Sequence, residues 1–119
     1  MIRGALLSFA LLLPVFATAQ EDVELGTGAI LRGLDKVSGV TADFEVPQGV
    51  TMLYERMEVT VKECRFPAGN PSGDAYAFLE IREQGKADLA FQGWMIASSP
   101  ALNALDNARY DIWVIRCKT

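Results

Sequence analysis

The chain holds two cysteines, Cys64 and Cys117, and any fold it adopts must suit what they do. Their chemistry depends on the compartment, and the N-terminus speaks to that. Arg3 gives a positive start. Gly4 to Phe16 is almost wholly apolar, broken by Ser8 and Pro14. Ala17-Thr18-Ala19 follows as a small-residue cleavage site, which completes the pattern of a secretory signal peptide over residues 1–19. The apolar run is shorter than the ~20 residues a membrane-spanning helix needs. The expected destination is an oxidising one, the bacterial periplasm, with no membrane span left after cleavage. There, an even cysteine count reads as one disulfide, with two buried free thiols as the alternative. A Cys64–Cys117 bridge closes a loop of about 54 residues and contributes about 4 kcal/mol by loop-closure entropy. It obliges the middle of the chain to lie against its tail. No C-x-x-C spacing is present to lower a thiol pKa, so a redox pair is disfavoured.

Cleavage leaves about 100 residues, the size of one domain. Residues 20–28, with Glu21, Asp22 and Glu24, read as a flexible acidic leader, and 29–119 as a single β domain. Within it, Ala29–Asp35, Ala42–Val46 and Val50–Tyr54 read as strands separated by Gly39 and by Pro47-Gln48-Gly49. Met57 to Lys62 is the clearest alternation: Met57, Val59 and Val61 share one face, and Glu58, Thr60 and Lys62 the other. Cys64 falls in phase with the polar set. The strand therefore ends or bulges before it, or the cysteine meets its partner from the far side. Phe66 to Asp74, with two prolines and two glycines, reads as a long loop. Ala75–Glu83 is a strand with Ala75, Ala77, Leu79 and Ile81 on one face. Its other face begins with Tyr76 and Phe78 and turns to Glu80 and Arg82, so that face is expected to be covered at one end only.

Asp88–Ala97 reads as the next strand, with Gly93 marking a bulge or a close backbone approach. Ser99-Pro100 resembles a helix N-cap followed by proline at the first helical position, and Ala101 to Leu105 makes a short helix of about two turns. Tyr110–Cys117 is a final strand, apolar on both faces. The expected fold is all-β: a small sandwich or barrel of about seven short strands with one short helix near the C-terminus.

Several chemistries are disfavoured outright. The chain has no histidine, which removes Ser-His-Asp and Cys-His catalysis and histidine-based zinc sites. No glycine-rich phosphate loop precedes a helix. A net charge of −4 is poorly suited to nucleic acid or anionic lipid. Ser98-Ser99 lacks a lysine at S-x-x-K spacing and reads as capping. A catalytic pair among Asp35, Glu80, Asp106 and Asp111 needs a deep cleft, which a domain this small seldom builds. The expectation is no enzyme, no cofactor and no metal.

What remains is surface. Trp94 and Trp113 read first as core and second as an aromatic platform. Trp94, Phe91 and Tyr76 are candidates for a docking face, and the loop from Phe66 is a further contact candidate. Asp111 lies on a strand expected to be covered on both faces. It either reaches solvent at the strand end or takes Arg82, Arg32 or Arg109 as a partner.

Leu31-Arg32-Gly33-Leu34-Asp35-Lys36-Val37-Ser38-Gly39, Met57 to Cys64, Ala77 to Ile81, and Phe91 to Leu105 with Tyr110 to Val114 and Cys117 together resemble the bacterial family called domain of unknown function 2155. The run Gly93-Trp94-Met95 to Ser98-Ser99-Pro100-Ala101-Leu102-Asn103-Ala104-Leu105 is the specific part. The family often carries His-Pro after the helix; here Asn107-Ala108 stands instead, so no role of that histidine transfers. The resemblance implies an exported domain with no assigned catalysis. It also implies gene neighbours that include an accessory-subunit homologue of respiratory complex I (NADH:quinone oxidoreductase). The expected function is accordingly a non-catalytic periplasmic protein-interaction domain, an accessory or supernumerary subunit on the periplasmic face of that inner-membrane complex. The alternative is an envelope ligand- or glycan-binding module or hydrolase inhibitor.

Overall fold

The computed structural model describes residues 22–119 and the single position Gly4. The expected signal peptide, 1–19, lies outside the described residues apart from that glycine. Eight strands follow in order: β1 (Val23–Leu25), β2 (Gly28–Asp35), β3 (Thr41–Pro47), β4 (Thr51–Tyr54), β5 (Met57–Pro67), β6 (Tyr76–Glu83), β7 (Phe91–Ile96) and β8 (Tyr110–Lys118). All pairings are antiparallel and fall into two sheets. One runs β5-β6-β7, with β1 and β4 both on the free edge of β5; the other runs β3-β2-β8.

The inward faces of both sheets share one core. Met57, Val59, Val61, Leu79 and Ile81 come from the five-stranded sheet, and Leu31, Val46, Ile112 and Val114 from the three-stranded one. The strict alternation of β5 and β6 produces this directly, because every second side chain faces the same way. The expected all-β fold is present, as two antiparallel sheets, with two departures.

The first is the strand count. Val23–Leu25, inside the stretch read as a leader, pairs with Arg65–Pro67 of β5. Three exposed residues carry too little alternation to mark a strand; the free edge of β5 recruits them. That edge is satisfied along its length by successive pieces of chain. β4 pairs with Met57–Thr60, Gly49 N–H donates to Val61 O, Gly26 N–H donates to Cys64 O, and β1 covers the end.

The second is the helix. Pro100–Leu102 forms only a single 3-10 turn, and Ser99 makes no side-chain capping hydrogen bond. Two tertiary ties explain this. The Asn103 amide donates to Trp94 O at 2.9 Å, and Leu105 is buried in the core while Leu102 is 74% exposed. Both pull the chain straight before a second turn can close. Intrinsic propensity over so short a stretch is too weak to resist them.

The disulfide joins Cys64 of β5 to Cys117 of β8, with Cα atoms 5.7 Å apart, and so staples the two sheets together. Each half-cystine is out of phase with the core residues before it. Each reaches the interior through a bulge. In β5 the register slips between Val61 and Glu63, leaving Lys62 outside the ladder. In β8 the pairing jumps from Val114 to Arg116, leaving Ile115 outside it. One extra residue reverses the alternation, so Cys64 and Cys117 turn inward. Across the sheet, Cys64 faces Ala77 and Cys117 faces Ala29, both small and fully buried.

Candidate interaction surface

The registers define what the five-stranded sheet presents on its outer side. One row across four strands is Leu25, Arg65, Tyr76 and Ile96. The next is Glu63, Phe78 and Trp94. Then the chemistry changes, to Thr51, Thr60, Glu80 and Gln92, and finally to Leu53, Glu58 and Arg82. The outer face is aromatic and aliphatic at one end and polar at the other.

Within the apolar end, Trp94 is 37% and Leu25 64% exposed. Phe78 meets the indole edge-on at a centroid distance of 5.4 Å. The Arg65 guanidinium lies over the Trp94 ring at 5.1 Å and pairs with Glu63 at 2.8 Å. These contacts hold the tryptophan in place without burying it. Asn103, bonded to the Trp94 carbonyl, blocks that part of the β7 edge. It also explains Gly93: a Cβ there would lie 2.7 Å from the Asn103 amide nitrogen. What approaches that glycine is a side chain, not the backbone expected, and β7 pairs with β6 without a bulge.

The structure thus brings Tyr76 and Trp94 together. It places Phe91 and Phe66 elsewhere, both facing the core at 8% and 5% exposure. As docking residues they are corrected. Phe91 and Trp94 are an odd number of positions apart on one strand, so they face opposite sides. Phe66 belongs to β5 and continues its inward face beyond the bulge. Sequence reasoning also missed Leu25 and Ile96 as surface partners. Phe78 was visible in the two-faced pattern of β6.

Trp113 is half-buried on the outer side of the three-stranded sheet, not in the core. It faces Arg32 in the register. Arg32 instead binds Asp43 through two hydrogen bonds of 2.7 and 3.0 Å, which holds the Asp43 carboxyl below its usual range. Of the two readings open for Asp111, an arginine partner is not found: none of Arg82, Arg32 and Arg109 pairs with it. Arg109 pairs with Asp35 at 3.1 Å, Arg82 donates to Ala87 O, and Asp111 accepts the N–H of Ile112 at 2.9 Å. Ser98 is not a helix cap. Its hydroxyl donates to Asp74 at 2.6 Å and its N–H to the same carboxylate at 2.9 Å, which anchors the chain leaving β7.

A cleft of about 530 Å³ opens among Arg56, Glu83, Lys86, Asp88, Asp106 and Arg109, with Ala90, Ala108 and Tyr110 also in its walls. Its charges are mixed. Among the described residues, no group of three or more Cys, Asp or Glu side chains is placed to hold a metal ion. No described helix is long and apolar enough to cross a membrane.

Fold and surface define a disulfide-stapled, two-sheet β domain with Trp94 exposed on the outer face of its larger sheet. Residues 29–117 match the family described as an uncharacterized protein conserved in bacteria, domain of unknown function 2155, and the chain belongs to that family. No curated protein and no solved structure matches it.

Proposed function

We propose that the protein is an exported, non-catalytic interaction domain that binds a protein partner through the apolar end of its five-stranded sheet. One observation carries this. Tyr76 and Phe78 give β6 a second apolar face, and beside them Trp94 is 37% and Leu25 64% exposed. Large aromatic side chains beside an arginine are the composition found at the centres of protein interfaces. Arg65 over the indole also favours protein over sugar: a sugar-stacking platform needs an open ring face, and here the cation occupies one.

Export rests on the N-terminal pattern and is consistent with the buried disulfide, which suits the periplasm. The partner to test first is an inner-membrane complex, with respiratory complex I suggested by the gene neighbourhood that the family resemblance implies. Mild detergent extraction from native membranes, followed by affinity purification of the tagged protein, should recover a membrane complex. Leu25→Asp should abolish recovery with little change in melting temperature, since that side chain is 64% exposed. A protein found only as a free monomer in periplasmic extract would overturn the proposal.

A further inference from the structure

On the opposite sheet, the chain between β7 and β8 forms a groove of about 360 Å³ lined by Pro100, Ala101, Ala104, Asp111 and Trp113. We propose that this groove is a second site, independent of the Trp94 face, that takes a lysine or arginine side chain from a partner protein. The walls and the floor call for different parts of such a side chain. Pro100, Ala101 and Ala104 offer small apolar surface suited to a methylene stem. Asp111 offers charge. Its Oδ1 accepts one backbone N–H, from Ile112, and its carboxylate forms no ion pair among the described residues.

Other described acids, Glu55, Glu58, Asp88 and Asp106 among them, also lack an ion pair; Asp111 differs in lining this groove together with Trp113 and small apolar side chains. The arginine nearest Asp111 in sequence, Arg109, is committed to Asp35. Trp113 adds a ring face on which a cation is favoured. Its register partner Arg32 is directed to Asp43 instead, so the chain's own cation does not fill the place. An acid without a counter-ion, an indole without a cation and an apolar trough between them are complementary to one occupant, an aliphatic stem with a cationic end. The net charge of −4 favours its approach.

The isolated side-chain chemistry is the sharpest probe. The oxidised protein, labelled with nitrogen-15, is titrated with n-butylammonium and n-butylguanidinium, and separately with n-pentanol, a neutral alkyl alcohol one carbon longer than the ammonium probe. Trp94 is the internal control. Saturable shifts are expected at the Trp113 indole and Ala104 amide, but not at the Trp94 indole. Affinity should be at least about fivefold weaker for pentanol, and about fivefold weaker for the cations in Asp111→Asn. That variant keeps an oxygen for the Ile112 N–H. Ala104→Leu, at an exposed position, fills the trough without touching the core and should abolish the shifts. Non-saturating shifts, equal binding of pentanol, or unchanged cation affinity in either variant would overturn the proposal.

Discussion

Gly33 lies in the middle of β2, and the ring of Tyr54 rests flat on it. A Cβ at position 33 would fall 2.3 Å from Cζ, 2.5 Å from Cε2 and 2.6 Å from Cε1 of that ring, where ordinary contact begins near 3.4 Å. Gly33→Ala therefore requires the ring to move by about 1 Å. The ring is not free to move. Phe44 stacks on it at 5.2 Å with planes 3° apart, and Tyr110 meets it edge-on at 5.8 Å. Overpacking of a close-packed core costs about 1–3 kcal/mol. Weakening two aromatic pairs, each worth about 0.5–1.5 kcal/mol, adds to that. The expected loss is about 2–4 kcal/mol in urea unfolding of the oxidised protein.

A double-mutant cycle isolates the cause. In a Tyr54→Ala background the obstacle is gone, and alanine suits a strand better than glycine. Gly33→Ala should then be neutral or mildly stabilising. The coupling energy should thus match the whole single-mutant cost. If Gly33→Ala costs the same with and without the Tyr54 ring, to within the ~0.5 kcal/mol expected of independent sites, the contact is not the reason for the glycine.

Replacing both half-cystines by alanine should cost about 4 kcal/mol, given a sequence separation of 53. For a domain of this size that lowers the melting temperature by roughly 15–25 °C, and a calorimetric shift of under about 4 °C would contradict the staple. Glu55, in the tight turn between β4 and β5, has φ +52°. Glu55→Gly should stabilise by about 1 kcal/mol in chemical denaturation, and a loss would show the side chain matters more than the backbone. Asp35 and Asp43 have lowered carboxyl pKa values, through hydrogen bonds from Arg109 and Arg32 respectively, with the N–H of Val37 also bound to Asp35. Their contribution is present above the unfolded carboxylate value of about 3.9 and fades as pH falls through the lower folded values. Urea midpoints should be flat from pH 7 to about 5 and drop below about 4. The drop should be shallower in Asp35→Asn/Asp43→Asn, and an identical acid profile would refute the assignment.

Much of the fold is legible in the residues, because alternation is a local property. Met57 to Val61 and Ala75 to Ile81 declare strands and choose their own inward faces, and the structure follows both. The misfit of Cys64 against its neighbours was equally visible and left a strand end, a bulge or a far-side partner open, of which the structure shows the bulge. Cys117 carries the same misfit against Tyr110, Ile112 and Val114, and its bulge was legible by the same rule. The two-faced character of β6 pointed to an apolar outer end before any partner strand was known.

The rest was settled by contacts between distant parts of the chain. β1 exists because β5 has an edge to pair, not because Val23–Leu25 prefers extension. The sequence from Ser99 to Leu105 has the local signs of a helix, yet Asn103 and Leu105 answer to β7 and the core. Whether Phe91 or Trp94 faced inward was a question of phase around Gly93, decided by pairing with β6. Asp111 found no arginine because Arg32 and Arg109 were claimed by other strands. Local pattern determines which residues can share a face. Only the assembled sheets determine which faces meet, and therefore which aromatic surface is left to the solvent.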